Sequence, residues 1–215
     1  MKKIFCFVIT GLITTTLFAQ TMVNTTGKTT FGIRAGVNFQ NINGKNAAGS
    51  TLKNDLLTGF NAGVNAEIPI GSGFFVQPGV LYSTKGAKWT NEDKVKLSYI
   101  EVPVNFVYKP ILGSGNMLLG FGPYVGFAMN GNVEYENGTE TDVEFTNDYD
   151  PSISAPQFKK MDAGANLLAG YEFANKLSFQ LNAQLGLMKI NPEITTDDET
   201  SWKNTGFGVS LGYRF

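Results

Sequence analysis

The side chains of this chain that could do chemistry are carboxylates, lysines and arginines, because the sequence holds no histidine and one cysteine. Histidine is the commonest general base near neutral pH and the commonest metal ligand, so its absence removes most hydrolytic and metal-assisted mechanisms at one step. Five charges stand out because they interrupt otherwise small or polar positions of alternating segments: Arg34, Glu67, Lys109, Glu172 and Arg214. Where such positions face a narrow interior, opposite charges pair and plug it, since an unpaired charge there is costly. Arg34, Glu67 and Arg214 are expected to meet, as a barrier to ions or as plain interior packing. A second group, Glu134, Glu136, Glu140, Asp142, Glu144, Asp148 and Asp150, lies between Met129 and Lys160. Hard cations take oxygen ligands, but this spacing matches no EF-hand loop and reads as a solvated acidic loop. Gly113-Ser-Gly115 is followed by a strand pattern in place of a helix, so it makes no phosphate cradle. No metal, no cofactor and no catalytic residue is expected.

The elements that carry those charges are strands. In the last eleven residues Phe207, Val209, Leu211, Tyr213 and Phe215 alternate with Gly206, Gly208, Ser210, Gly212 and Arg214. Successive side chains of a strand point to opposite faces, so one face is apolar and the other Gly-rich, over the length a tilted strand needs to cross a bilayer. The same pattern recurs at 31–39, 60–68, 74–84, 97–109, 117–128, 161–173 and 177–190. Tight turns at 69–73, 110–115 and 174–175 alternate with longer polar segments at 41–55, 84–96, 129–160 and around Asp197-Asp198-Glu199. Eight strands with connections alternating long and short predict an all-β fold, an eight-stranded antiparallel up-and-down transmembrane β-barrel with both termini on the periplasmic side.

The aromatics favour this over a soluble sheet protein. Phe39, Phe60, Tyr82, Phe127 and Phe207 fall near one rim of the apolar face; Phe31, Phe74, Tyr108, Phe173, Phe179 and Phe215 fall near the other. Two such belts are what interfacial anchoring requires. Pro78, Pro103 and Pro123 sit inside strands, where proline removes a ladder hydrogen bond, and are expected to mark bulges or weak points of the wall.

The N-terminus, Met1-Lys2-Lys3 followed by an apolar run and Ala19-Gln20, has the parts of a secretory signal peptide. The expected organisation is a cleaved signal peptide at 1–19, a short lead at 20–30 and a barrel at 31–215. Cleavage would remove Cys6, Lys2 and Lys3, leaving no thiol and 15 basic against 18 acidic residues. That balance gives no reason to expect nucleic-acid binding.

The chain resembles the PorT-like outer-membrane β-barrel family. The resemblance rests on 31–39, Leu97-Ser-Tyr-Ile-Glu-Val-Pro-Val-Asn-Phe106, Gly120-Phe-Gly-Pro-Tyr-Val-Gly126, Gly170-Tyr-Glu-Phe173 and Leu211-Gly-Tyr-Arg-Phe215. It implies a small barrel in the outer membrane of a Gram-negative bacterium, surrounded by membrane lipids, and no established activity. By resemblance alone, Phe215 is read by the barrel-assembly machinery. PorT is tied to protein secretion, a remote alternative that these residues do not single out. Three classes of function remain: a structural or interaction barrel showing its outer loops to an unknown protein partner, a narrow pore or small-solute binder, and an outer-membrane enzyme. The enzyme reading is disfavoured because the membrane-barrel enzymes use a histidine that this chain lacks.

Overall fold

The computed structural model describes residues 27–193 and 199–215. The expected signal peptide with Cys6, the lead up to residue 26, and Asp197 and Asp198 lie outside the described residues. Period-2 segments become strands: β1 (Thr30–Lys45), β2 (Leu57–Gly71), β3 (Phe74–Lys88), β4 (Lys94–Tyr108), β5 (Ile111–Leu112), β6 (Gly115–Glu134), β7 (Glu140–Asp142), β8 (Glu144–Phe145), β9 (Gln157–Phe158), β10 (Met161–Glu172), β11 (Leu177–Gly186) and β12 (Ser201–Arg214). β1, β2, β3, β4, β6, β10, β11 and β12 pair antiparallel, each with its neighbour. The β1–β12 pairing, from Gly32↔Arg214 to Lys45↔Ser201, closes the ring, so the eight-stranded wall has no free edge. No helix of the described residues is long and apolar enough to cross a membrane.

The wall is inverted relative to a soluble protein. Phe31, Ile33, Phe60, Val64, Phe121, Leu167, Leu181, Phe207 and Leu211 are exposed on the outside, while Asn38, Gln40, Gln77, Lys85, Glu101, Asn105, Asp162, Asn204 and Ser210 are buried inside. A lipid-facing wall needs this arrangement, because the polar groups then find partners in the lumen and none face hydrocarbon. Ring pairs mark the rims: Phe39 with Phe207 at 5.3 Å and Phe60 with Tyr82 at 5.6 Å at one end, Phe74 with Tyr108 at 4.6 Å and Tyr213 with Phe215 at 5.2 Å at the other.

Two expectations change. The segment 84–96 is mostly strand: β3 runs to Lys88, β4 starts at Lys94, and only 89–93 connect them. β1 and β6 also extend past the first rim. Beyond it Lys94 and Lys96 point outward while Val95 and Leu97 are buried inside, so the polarity of the two faces is exchanged as the surroundings change from lipid to water. This upper section is pinched at Gly44 and Gly86 (φ 143° and 142°), where a Cβ would stand 1.4 Å from the Ser201 carbonyl oxygen and 1.8 Å from that of Val95.

The second change concerns Pro78, Pro103 and Pro123, which are not at bulges but, in line with the other expectation, lie beside gaps in the ladder. Register shifts occur at Ser98/Tyr99 and Pro69/Gly71. Pro78↔Val104 and Leu81↔Glu101 share one register, as do Pro103↔Tyr124 and Phe106↔Phe121. The ladder skips the intervening pairs without slipping, which is what a missing N–H does when the strands on both sides are held by well-formed pairs.

Candidate functional site

Inward-facing charges gather at two levels of the lumen. At the end nearer the termini, the last turn of wall on β2, β10 and β12 and the residue after β4 supply Glu67, Glu172, Arg214 and Lys109. The Lys109 Nζ lies 2.9 Å from Glu67 Oε1 and 2.9 Å from Glu172 Oε1. The Arg214 guanidinium stands 3.2 Å from Glu67 Oε2 and 3.9 Å from Glu172 Oε2, and donates to Asn65 Oδ1 at 2.7 Å. Gln77 donates to Glu67 at 3.4 Å. Two cations thus meet two carboxylates, all buried, and the cluster is neutral.

Arg34 is not part of it, contrary to the expectation that Arg34, Glu67 and Arg214 meet. Register explains this: Glu67 pairs with Thr30 and Arg214 with Gly32, so Arg34 sits four residues, roughly 13 Å of strand, above Glu67. There its Nη1 donates to Asn182 Oδ1 at 3.4 Å, within a layer of amides and hydroxyls. Asn182 donates to Ser210 Oγ at 3.2 Å and Asn38 to Ser83 Oγ at 3.3 Å. An interior void of about 30 Å³, bordered by Arg34, Asn38, Asn61, Glu101 and Gln184, is the space left at this level. It is room for about one water molecule, not for a solute.

The second cluster was not foreseen. Lys85, read as a loop residue, points inward from β3 with its side chain fully enclosed, 2.5 Å from Glu101 Oε1 and 2.9 Å from Asp162 Oδ2. Asp162 also accepts from Tyr124 Oη at 3.2 Å and Asn204 Nδ2 at 3.0 Å, and Glu101 accepts from Gln184 Nε2 at 3.0 Å. The Lys85 ammonium lies over the Tyr124 ring at 4.2 Å and near that of Tyr99 at 5.5 Å, contacts that stabilise a desolvated cation. The signal was present in the sequence: continuing the period-2 count of β3 one step past Thr84 places Lys85 inside.

Above this cluster the lumen is filled by an apolar cap. Ile42, Ala87, Val95, Leu97, Ala128 and Val133 of the extended wall pack with Val143 and Phe158 of the 135–160 segment and with Ile190. Trp202 closes over it, 5.6 Å from the Phe158 ring and 6.1 Å from that of Trp89. Phe158 is held by the parallel β8–β9 pair. The acidic segment therefore folds over the mouth, and its carboxylates disperse. Glu134, outside the rim, takes ion pairs from Lys96 and Lys94 that lower its pKa to about 2, the Lys96 hydrogen bond being the larger cause. Asp150 is lowered by its Ser152 hydrogen bonds. Among the described residues no group of carboxylates is arranged to hold a metal ion.

The arrangement can hold charge in place and exclude water. It offers Lys85 and two carboxylates whose side chains are almost wholly enclosed. A concavity of about 820 Å³, bordered by Phe106, Phe121, Leu167 and Phe207, lies along the apolar outer wall.

Residues 18–191 match the family described as "Outer membrane protein beta-barrel domain". Among solved structures, neisserial surface protein A is 12% identical, with a TM-score of 0.49 over 88% of this chain and 100% of that one. The attachment invasion locus protein of Yersinia pestis, in complex with the heparin analogue sucrose octasulfate, is 14% identical over the same shares, with a TM-score of 0.45. A major outer membrane protein of Thermus thermophilus is 13% identical, again over 88% and 100%, with a TM-score of 0.45. No curated protein matches the sequence.

Proposed function

We propose, since the chain belongs to the outer membrane protein beta-barrel domain family, that this outer-membrane barrel is a non-catalytic scaffold, closed to solutes, that presents its outer segments to a partner. The observation that carries this is the filling of the lumen at three levels: the Lys109 cluster, the Lys85 cluster and the apolar cap. A narrow pore would need a continuous open path through the lumen, and the three filled levels favour the scaffold. Within the family, the Tyr99-Ile-Glu-Val-Pro103 stretch supports a PorT-like assignment and does not single out a role in secretion.

The orientation proposed has the turns at 72–73, 109–114 and 173–176 in the periplasm, with 46–56, 89–93, 135–160 and 187–193 outside. It is supported by the upper wall beyond the Phe39–Phe207 rim, whose outward face is polar as an aqueous surface requires. Phe215, exposed at the other rim with its N–H bonded to the Phe31 carbonyl at 2.8 Å, is then offered to the barrel-assembly machinery from the periplasm. Surface labelling tests the reading. In a Cys6→Ser background, Asn137→Cys is expected to react with a membrane-impermeant maleimide on intact cells, and Ser114→Cys only after permeabilisation. The reverse pattern would overturn the orientation and, with it, the display of 135–160.

A further inference from the structure

Just above the Phe60–Tyr82 rim the ladder between β2 and β3 stops. Its last pair is Asn61↔Ser83, and the two strands meet again only at the Asp55↔Lys88 bridge. In between, the Thr84 side chain stands in for its backbone. Thr84 Oγ1 accepts from the Phe60 N–H at 2.8 Å and donates to the Phe60 carbonyl at 3.2 Å, while the Thr84 carbonyl accepts from Asn38 Nδ2 at 3.1 Å. Thr58, two residues before Phe60, presents its N–H and C=O to the same edge, where no ladder partner meets them.

A groove of about 400 Å³ begins at this gap and crosses the outside of β3, β4 and β6 to β7. Four strand spacings make it roughly 19 Å long. Two rows of outward side chains form it: Phe60, Thr84, Ser98 and Asn130 next to the rim, then Thr58, Lys96, Asn132 and Asp142 farther out. The pairs Thr84↔Ser98, Ser98↔Asn130, Lys96↔Asn132 and Asn132↔Asp142 hold each row in line. The lining is mostly hydroxyl and amide. Lys96 is taken by Glu134, and Asn132 Nδ2 by Glu140 at 2.9 Å. The side chains of Thr58, Asn130 and Asp142 are exposed and have no partner among the described residues. The Phe60 ring, more than half exposed, forms the lower lip.

We propose that this groove binds a short uncharged oligosaccharide. Sugar hydroxyls both donate and accept, which matches the Asn130 amide, the Thr58 hydroxyl, the Asp142 carboxylate and the open Thr58 backbone edge. The apolar face of one ring covers Phe60. An extended peptide does not fit the gap, because strand addition needs an open edge and this one is closed at both ends by Asn61↔Ser83 and Asp55↔Lys88. A lipid chain would leave the hydroxyls and amides without partners. The sugar is then the partner of the outer surface proposed above, a reading on which this site rests.

The wild-type protein in phosphatidylcholine discs, verified as a closed barrel by heat-modifiable mobility, is applied to an array of oligosaccharides that includes lipopolysaccharide core fragments. The affinity for the best-retained sugar is then measured by titration. Asn130→Leu and Asp142→Leu, one exposed change in each row, are each expected to weaken binding about tenfold, because a sugar hydroxyl is left unpaired. Ser114→Ala, at the other end of the barrel, is expected to leave it unchanged. For an uncharged ligand the affinity should hold within about twofold between about 0.05 and 0.5 M salt. Tighter retention of the same sugar on a lipid anchor in the disc assigns it to a membrane glycolipid, and equal retention to a free saccharide; either supports the site. An empty array, equal affinity in wild type and both variants, or a steep loss with salt, which would make the ligand an ion, would each overturn the proposal. Discs expose both faces of the barrel, so a reversed orientation, seen by maleimide labelling, would not alter the array result.

Discussion

Replacing Lys85 with methionine is expected to destabilise the barrel by about 3–5 kcal/mol, the usual consequence of removing one partner of a buried charge pair. The magnitude follows from what remains. Glu101 and Asp162 would stay buried, with the ammonium that sits between them gone, under the apolar cap and with no more than the one-water void of the Arg34 layer beside Glu101. The amide donors Gln184 and Asn204 and the Tyr124 hydroxyl would remain, which satisfies hydrogen bonding without cancelling charge. Adding Asp162→Asn to Lys85→Met is expected to restore a large part of the loss, because the pair would then carry a single negative charge. Urea unfolding of the refolded protein in lipid vesicles measures both steps. A loss below about 1 kcal/mol would mean that water reaches Lys85, contrary to the enclosed geometry.

Lys109→Met is expected to cost less, about 2–3 kcal/mol. Its cluster holds a second cation: Arg214 stays within 3.2 Å of Glu67 and 3.9 Å of Glu172. Arg214 is the weaker partner for Glu172, so that carboxylate bears most of the loss, and Glu172→Gln in the Lys109→Met background is expected to recover it more fully than Glu67→Gln. The Lys85 and Lys109 clusters share no residue, so Lys85→Met and Lys109→Met should add. Coupling between them would mean that the amide layer around Arg34 transmits a rearrangement.

The lower half of the barrel was legible in the sequence because lipid outside and a polar lumen inside impose the same alternation on every strand. Gly206 to Phe215 shows it most plainly. The upper half was not, for a physical reason. Past the rim the outside is water and the lumen is apolar, so Lys94-Val-Lys-Leu97 still alternates, but with the two faces exchanged. A search for outward apolar residues stops there, and it takes 84–96 for a loop. Lys85 is lost to the same truncation. Arg34 is misplaced because alternation fixes which face a residue takes but not its height, and height depends on the β1–β2 and β1–β12 registers, which pairing alone determines. Glu67, Lys109, Glu172 and Arg214 do fall together, since each lies at the terminus-side end of its strand next to a turn. The cap could not be read at all: Val143 and Phe158 come from a segment read as a loop and Ile190 from the end of one read as a strand, which stops at Gly186, and only the folded chain brings them to one mouth.

A closed lumen is the claim on which the rest depends, and single-channel recording of the refolded protein in a planar bilayer tests it most directly, once heat-modifiable mobility has verified the barrel. Three filled levels predict silence, with no discrete conductance steps at any applied voltage that the bilayer survives. Stable, uniform steps from the wild-type barrel would contradict the account, and would mean that the Lys85 cluster or its cap opens to ions.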